Sequence, residues 1–291
     1  MWFLLADLAI AAGPPPEEVA CKAGDGAACT VLADAYANAI GVPKDPFRAS
    51  QLFRQGCELG HAPACMFLAE AYRTGVGTRV DQSQALDLYS KACELGNALA
   101  CRSVGDLYTM GAAGLVDGKG AGVWYKLGCD LGDSQACTAA GLWVERGDAD
   151  GMVGESAIAL FQRGCRGHHL RACTLLGERY ERGSDGVKKD LSKAYDYYRE
   201  GCVVPFDPQA CRELGMEQLR GDHVSLDVGG GLENLDRACY QNDAIACRYL
   251  GSAQLKYKND SEALVAAERG CDLGDVPACR VAERARFRIM H

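Results

Sequence analysis

Small and apolar residues recur along the chain at helical spacing around a repeated cysteine. An alanine stands directly before this cysteine, an apolar residue follows at the third position, a small residue at the fourth and, in several repeats, a tyrosine at the seventh. Ala64, Leu68, Ala69 and Tyr72 show the pattern around Cys65. These offsets describe one face of an α-helix, and the small residue suits a place where a second helix approaches closely. The pattern predicts one such helix, the A helix, in each repeat.

A second helical pattern precedes the other cysteine of each repeat. An aromatic residue stands four positions before it and an alanine eight positions before it, as Tyr89 and Ala85 do before Cys93. This spacing predicts a second helix, the B helix. Glycines such as Gly75 and Gly96 are expected to end the A and B helices, because glycine readily adopts the left-handed conformation of a C-cap. The chain is therefore predicted to form about seven αα-hairpins with a half unit at each end.

The cysteines fall into eight successive pairs, with none left over. Seven pairs are separated by eight positions and one by nine, and the first member advances by 32 to 37 residues from pair to pair. A nearly fixed period of this size indicates a repeat array, in which each unit buries its apolar face against its neighbours. The pairs are Cys21 with Cys29, Cys57 with Cys65, Cys93 with Cys101, Cys129 with Cys137, Cys165 with Cys173, Cys202 with Cys211, Cys239 with Cys247, and Cys271 with Cys279.

The charge of the chain and the length of its apolar stretches limit which kinds of partner it can bind. The 291 residues include 31 basic and 39 acidic side chains, for a net charge of −8. This balance argues against nucleic acid as a partner, since such binding needs clustered lysine and arginine. The longest apolar stretch, residues 2–12, is interrupted by Asp7 and is too short for a transmembrane helix. We expect a soluble protein without membrane insertion, acting as a monomer.

Two segments carry a family resemblance. Residues 95–108 read LGxxxACxxVGxxY, and residues 186–202 read GVKKDLSKAYDYYxxGC. Both resemble the Sel-one-like repeat, a relative of the tetratricopeptide repeat, and the added cysteine pair is similar to that of the Helicobacter cysteine-rich proteins. The resemblance covers about residues 20–290. It implies an all-α, right-handed αα-hairpin solenoid, with residues 21–291 forming a single repeat domain.

The cysteine pairs are interpreted as disulfides. The first cysteine lies in the last turn of helix B and the second near the start of the next helix A, and a short turn between them can bring the Cα atoms within bridging range. Zinc is the alternative, but it favours short Cys-x-x-Cys pairs or mixed Cys/His clusters, and this chain has neither. Disulfides imply an oxidising compartment. We predict a secreted or periplasmic protein, ahead of the mitochondrial intermembrane space.

The N-terminal segment, residues 1–20, has two interpretations. Its apolar stretch and the spacing of Ala9 and Ala11 are typical of a degraded secretion signal, although a basic start is missing. A helix that caps the first repeat is the alternative.

No catalytic residues, metal ligands or cofactor site are predicted. The resemblance implies one enzyme alternative, a weak β-lactamase or penicillin-binding protein. The chain has no Ser-x-x-Lys motif, and of its five histidines only His168 and His169 adjoin. Resemblance to a repeat protein that assists mitochondrial cytochrome oxidase assembly implies a third possibility, an assembly chaperone.

We predict instead an interaction scaffold that binds a protein or peptide. In a tetratricopeptide-like solenoid, positions one, five and nine after the second cysteine, here called +1, +5 and +9, would line a concave groove. The groove would be acidic near its N-terminal end and basic near the other, suiting an extended peptide of opposite polarity or a ligand with carboxylates. The alternative is a solvated surface with ordinary pairs such as Glu178 with Arg182. The candidate ligand-binding residues are Arg102, Asp106, Arg146, Glu178, Arg182, Arg212, Arg220, Arg248 and Lys256.

Overall fold

A computed structural model describes residues 16–111, 120–147 and 155–291. Every regular element in these residues is a helix, and there are sixteen of them. The chain divides into two compact units, Met1–Val153 and Gly154–His291. The single repeat domain over residues 21–291 remains a prediction. Most of the predicted N-terminal segment, residues 1–15, lies outside the described residues.

In the first unit, B helices alternate with A helices. The helices are α1 (Pro16–Lys22), α2 (Gly26–Asn38), α3 (Pro46–Glu58), α4 (Ala62–Thr74), α5 (Gln82–Glu94), α6 (Ala98–Thr109), α7 (Ala121–Asp130) and α8 (Ser134–Glu145). Even-numbered helices are A helices, and odd-numbered helices are B helices.

The second unit continues the same alternation. Its helices are α9 (Ala157–Arg166), α10 (Leu170–Arg182), α11 (Leu191–Gly201), α12 (Pro208–Arg220), α13 (Val228–Tyr240), α14 (Ala244–Lys256), α15 (Asp260–Asp272) and α16 (Val276–Met290). Within each unit, every helix packs against the next one along the chain, which confirms the predicted stack of hairpins.

The recurring small residue marks a close helix contact, as the sequence predicts. A Cβ atom added to Gly105 of α6 would lie 2.6 Å from the ring of Tyr125 on α7, and one added to Gly177 of α10 would lie 2.5 Å from the ring of Tyr198 on α11. Both distances are too short for any side chain, so glycine leaves room for the ring. The tyrosines are almost fully buried. The aromatic residue of helix B therefore fits a gap left by the preceding helix A.

Helix ends follow the predicted capping residues. Asp45 accepts a hydrogen bond from the backbone N–H of Arg48 at the start of α3, and Asp190 accepts one from that of Lys193 at the start of α11. Gly75 and Gly183 end α4 and α10 in the left-handed conformation. Such caps separate the helices cleanly within each hairpin.

The eight predicted cysteine pairs are all disulfides, and no cysteine is free. Each bridge joins the end of a B helix to the first turn of the following A helix, with Cα–Cα distances between 4.4 and 4.8 Å. The pairing predicted from the spacing is therefore confirmed at every position. The bridges join Cys21 with Cys29, Cys57 with Cys65, Cys93 with Cys101, Cys129 with Cys137, Cys165 with Cys173, Cys202 with Cys211, Cys239 with Cys247, and Cys271 with Cys279.

The alanine before the second cysteine lies where two helices meet. Apart from Ala28 in the first repeat, which is partly exposed, this alanine is fully buried. Ala64 shows the reason, since a Cβ added to Gly56 of α3 would lie only 2.8 Å from the Ala64 Cβ. A larger side chain at this position would push the two bridged helices apart.

Candidate peptide-binding clefts

In the first unit, positions +5 and +9 of successive A helices line a cleft of about 420 Å³ between α2 and α4. We call it the first cleft. Its polar edges are formed by the +5 residues Asp34 and Glu70 together with +9 residues of both helices, and its apolar floor includes Phe53 and Phe67. Phe67 is 42% exposed. The first cleft is therefore an acidic opening over aromatic rings.

In the second unit, the same repeat positions line two adjoining clefts. One of about 240 Å³ lies between α12 and α14, and one of about 540 Å³ lies between α14 and α16. Ser252 and Lys256 line both, so the two are treated together as the second cleft. The second cleft is basic. Its edges carry one carboxylate, Glu283, and the cationic side chains of Arg220, Lys256, Arg284 and Arg288, and its apolar surface includes Tyr249 and Phe287.

Hydrogen bonds restrain the main carboxylate of the first cleft. Arg73 donates from Nε to Glu70 at 2.8 Å, and the hydroxyl of Tyr89 donates to the same carboxylate at 2.6 Å. The bonds from Arg73, and then from Tyr89, lower the pKa of Glu70, whereas its partial burial opposes the shift. Asp34 accepts a hydrogen bond from Asn38 at 2.7 Å. Part of the acidic charge is thus compensated within the cleft itself.

The cations of the second cleft differ in how they are paired. Arg220 lies 2.7 Å from Glu217, and Arg288 lies 3.1 Å from Asp260 while donating to the carbonyl of Leu255. The other two cations, Lys256 and Arg284, are exposed, and neither has a carboxylate partner among the described residues. Arg284 donates to the carbonyl of Arg280 at 3.4 Å, and the Nζ of Lys256 lies 5.6 Å from the ring centre of Tyr257, so both keep a positive charge that no carboxylate compensates.

The three predicted +1 arginines bridge successive A helices. Arg102 lies 3.1 Å from Asp133, Arg212 lies 2.6 Å from Asp243 and Arg248 lies 3.2 Å from Asp275. Each of these aspartates is the N-cap of the next A helix and also accepts a backbone N–H of that helix. The arginines therefore couple one repeat to the next, and none of them lines the clefts.

The remaining predicted residues have local partners. Asp106 accepts a hydrogen bond from the hydroxyl of Tyr125 at 2.8 Å. Glu178 is buried and pairs with Arg179 at 3.1 Å and with Arg182 at 3.7 Å, so the i,i+4 pair considered from the sequence is present. The guanidinium of Arg146 lies 5.5 Å from the ring centre of Trp143.

Two cations of the second cleft, Arg284 and Arg288, were not among the predicted site residues. They stand at positions +5 and +9 after Cys279, in the same register as Ser252 and Lys256 after Cys247. Positions +5 and +9 counted from the last cysteine, Cys279, identify both residues from the sequence.

One group of potential metal-ligand atoms occurs in the described residues, formed by Cys165, Cys173 and Glu200. The two sulfurs are joined in a disulfide. Zinc binds cysteine as the thiolate, so this group is not suited to hold it while the disulfide is intact.

Stacked hairpins with a recurring cleft define a helical-repeat scaffold, a class that uses extended surfaces for protein interaction. The family model of the Sel1 repeat matches residues 26–61, 62–97, 98–133, 170–202 and 208–243, more than half of the chain. The chain belongs to the Sel1 repeat family, and its eight disulfides are consistent with the cysteine-rich type. No helix in the described residues combines the length and the apolar character needed to cross a bilayer.

Solved structures support the same fold. A Sel1 repeat protein from Oxalobacter formigenes is 21% identical, with a TM-score of 0.72 over 92% of this chain and 78% of that one. A protective antigen of uropathogenic Escherichia coli strains, which displays an SLR fold, is 18% identical, with a TM-score of 0.55 over 94% of this chain and 67% of that one. No curated protein matches the chain.

Proposed function

We propose that the protein is a non-catalytic interaction scaffold that binds an extended, carboxylate-bearing segment of a partner protein in the second cleft. The observation that carries this proposal is a pair of exposed cations, Lys256 and Arg284, that lack a carboxylate partner in the described chain and lie beside exposed apolar surface. Phe287 is 59% exposed in the same cleft. An apolar surface with positive edges suits a peptide that offers both apolar side chains and carboxylates.

The repeat geometry indicates how such a peptide would be spaced. Arg220, Lys256 and Arg288 occupy position +9 on three successive A helices. Packed helices lie about 8–10 Å apart, and a chain in the extended polyproline II conformation rises about 3.1 Å per residue and repeats its side-chain direction at every third residue. A carboxylate at about every third residue would therefore meet one cation per repeat. Apolar residues between the carboxylates would face the cleft surface.

The first cleft carries the opposite charge and would select a different segment. Asp34 and Glu70 favour a ligand with positive charge there. We propose that the two clefts bind segments of opposite charge, which agrees with the polarity expected from the sequence.

We further propose that the scaffold works in an oxidising compartment, as a secreted or periplasmic protein. Eight closed disulfides support this location, because the cytosol keeps such thiols reduced. Thiol alkylation of protein isolated unreduced from its native compartment, read by mass spectrometry, should leave all sixteen cysteines unlabelled.

The binding test uses two synthetic peptides of about twelve residues, long enough to span three repeats at the rise of an extended chain, measured by fluorescence anisotropy. One has an aspartate at every third position among leucine and serine, and the other has lysine at those positions. We expect the aspartate peptide to bind the native protein. The Lys256→Glu/Arg284→Glu variant should weaken it by roughly tenfold or more, because like charges then face each other.

The matched control changes the same charge elsewhere in the second unit. Lys188 and Lys189 are exposed in the loop before α11, so Lys188→Glu/Lys189→Glu should bind the aspartate peptide as the native protein does. Equal weakening by both variants would mean that only net charge matters. That result, or no binding by the native protein, would refute the second cleft as the peptide site.

A further inference from the structure

A separate groove lies on the B-helix side of the second unit, between α13 and α15. Its volume is about 530 Å³, and α14 contributes Leu250 and Gln254 to its lining. The apolar floor is formed by Cys239, Leu250 and Ala266, all of which are largely buried. Val265 stands in the groove with 70% of its surface exposed. We call this opening the B-side groove. It shares no lining residue with the second cleft.

Carboxylates without a partner surround this groove. Glu233 and Asp236 on α13 and Glu262 on α15 are exposed, and none has an ion-pair or hydrogen-bond partner among the described residues. Of the other acidic residues of α15, Asp260 pairs with Arg288 and Glu268 with Arg286, whereas Asp272 at the end of the helix is exposed and does not line the groove. Most of the unpaired negative charge of these two helices therefore lies at the B-side groove.

Arg269, the cation that lines this groove, makes its contacts with the end of α13 and the turn after it. Arg269 donates to the carbonyl of Tyr240 at 2.8 Å and to the side-chain oxygen of Asn242 at 3.2 Å. Its guanidinium also lies 5.5 Å from the ring centre of Tyr240. Because these contacts hold Arg269 against the end of α13, it is not placed to neutralise all three carboxylates.

Charge is divided between the two sides of these hairpins. Helices α13 and α15 contain six acidic and two basic side chains, whereas α14 and α16 contain six basic and one acidic side chain. One ligand chemistry therefore cannot suit both sides. A segment that fits the basic second cleft would be repelled at the B-side groove.

We propose that the B-side groove binds a basic segment of a partner protein, with an apolar side chain inserted beside Val265 and lysine or arginine residues facing Glu233, Asp236 and Glu262. Burial of the apolar side chain supplies affinity, and the carboxylates select the charge of the segment. The scaffold would thus hold two segments of opposite charge on different faces of the same hairpins. This proposal does not depend on peptide binding in the second cleft.

The test uses the lysine peptide described above, with binding measured by fluorescence anisotropy at low salt. All proteins in this test carry Asp34→Lys, because the acidic first cleft also favours the lysine peptide. We expect the Asp34→Lys protein to bind it, and the added change Glu262→Lys to weaken the affinity roughly tenfold. Val265→Ser, which keeps the charge and removes exposed apolar surface, should weaken it several-fold. Both positions are exposed, and circular dichroism will verify that the variants fold.

The matched control is Glu283→Lys, the same charge change on α16 at the second cleft. It should leave the affinity for the lysine peptide unchanged. Equal weakening by Glu283→Lys would mean that net charge alone governs binding, and loss of binding in Asp34→Lys would place the peptide in the first cleft. Either result, or no binding at all, overturns the proposal.

A second copy of the chain is the competing occupant, because α16 exposes basic and apolar residues such as Arg284 and Phe287. Analytical ultracentrifugation across a concentration series separates the two cases. We expect a monomer at all concentrations. Self-association that disappears in Val265→Ser would assign the B-side groove to a second copy and refute the partner segment.

Discussion

The first cleft and the second cleft occupy the same positions of the repeat and have opposite chemistry. Both place aromatic rings between two A helices, with Phe53 and Phe67 in one and Tyr249 and Phe287 in the other. Their edges differ, because positions +5 and +9 are acidic or neutral in the first cleft and largely cationic in the second. Helix packing depends on positions +3 and +4, which face the core. The side chains at positions +5 and +9 that line the two clefts lie outside this helix packing, so their charge can differ between repeats.

The two clefts also differ in how much charge they leave for a ligand. Glu70 is held by Arg73 and Tyr89, so its charge is compensated from within the scaffold. Lys256 and Arg284 have no carboxylate partner of this kind among the described residues. We therefore expect the second cleft to bind its peptide more tightly than the first.

Removing a disulfide beside each cleft should have the largest effect. Cys57→Ala/Cys65→Ala opens the bridge between α3 and α4, and Cys239→Ala/Cys247→Ala opens the bridge between α13 and α14. Each should lower the free energy of unfolding by about 2–3 kcal/mol, because a closed loop of this length no longer restricts the unfolded chain. Urea unfolding followed by circular dichroism measures the loss.

Peptide binding distinguishes the two disulfide variants. Only the Cys239→Ala/Cys247→Ala variant should also weaken the aspartate peptide, since α14 carries Lys256. Equal effects of the two variants on peptide affinity would contradict the separate roles of the clefts.

Transferring the basic edge to the first cleft should have an intermediate effect. Asn38→Lys/Thr74→Lys places lysines at the exposed +9 positions of α2 and α4. In the Lys256→Glu/Arg284→Glu background, this change should restore affinity for the aspartate peptide by roughly tenfold, measured by anisotropy.

A matched control for this transfer adds the same charge outside the first cleft. Gln51→Lys/Gln84→Lys places lysines at exposed positions on α3 and α5 and should restore nothing. A gain in the control would show that bulk charge governs binding.

The smallest predicted effect concerns acid stability. Bonds from Arg73 and Tyr89 lower the pKa of Glu70 below its usual 4.5, so its stabilising contribution is present above that pH and is lost as the pH falls further. Burial raises the pKa of Glu213 on α12, although the adjacent Arg212 opposes the shift. The folded protein therefore takes up a proton at Glu213 more readily than the unfolded chain, and this group's contribution to stability rises as the pH falls toward 4.5.

Melting temperatures of Glu70→Gln and Glu213→Gln between about pH 7 and pH 3 measure both contributions. The difference between native protein and Glu70→Gln should shrink by about 1–2 °C as the pH falls below the usual value. As the pH falls from about 7 toward 4.5, the melting temperature of the native protein should rise relative to that of Glu213→Gln. Shifts in the same direction would contradict the opposite environments of the two carboxylates.

Much of the fold could be predicted from single repeats. Ala64, Leu68 and Cys65 indicate a helix and its buried face because their spacing is set by the helical period alone. Gly105 likewise indicates a close helix contact, since a small residue recurs at the same position of each repeat. The structure adds that the ring of Tyr125 fills this place. The disulfides follow from the same local geometry, in which a helix end and the next helix start are joined by a short turn.

The site was only partly predictable. Arg212 and Arg248 occupy position +1, which the sequence predicts to line the groove. Their side chains instead reach the N-cap aspartates of the next A helices. Arg284 and Lys256 share the same basic character and remain without a carboxylate partner in the described part of the chain. Positive charge that recurs at one position of the repeat therefore does not tell whether an arginine joins two repeats or faces a ligand.

The amino-acid sequence alone determined the helices, their order, the cysteine partners and the small residues at helix contacts, because each depends on neighbours within one period of the repeat. The tertiary structure decided which charged groups are compensated and which are free. The physical reason is the reach of long side chains: Arg102 finds Asp133, and Arg288 finds Asp260, across helices whose relative register is set only when the repeats stack.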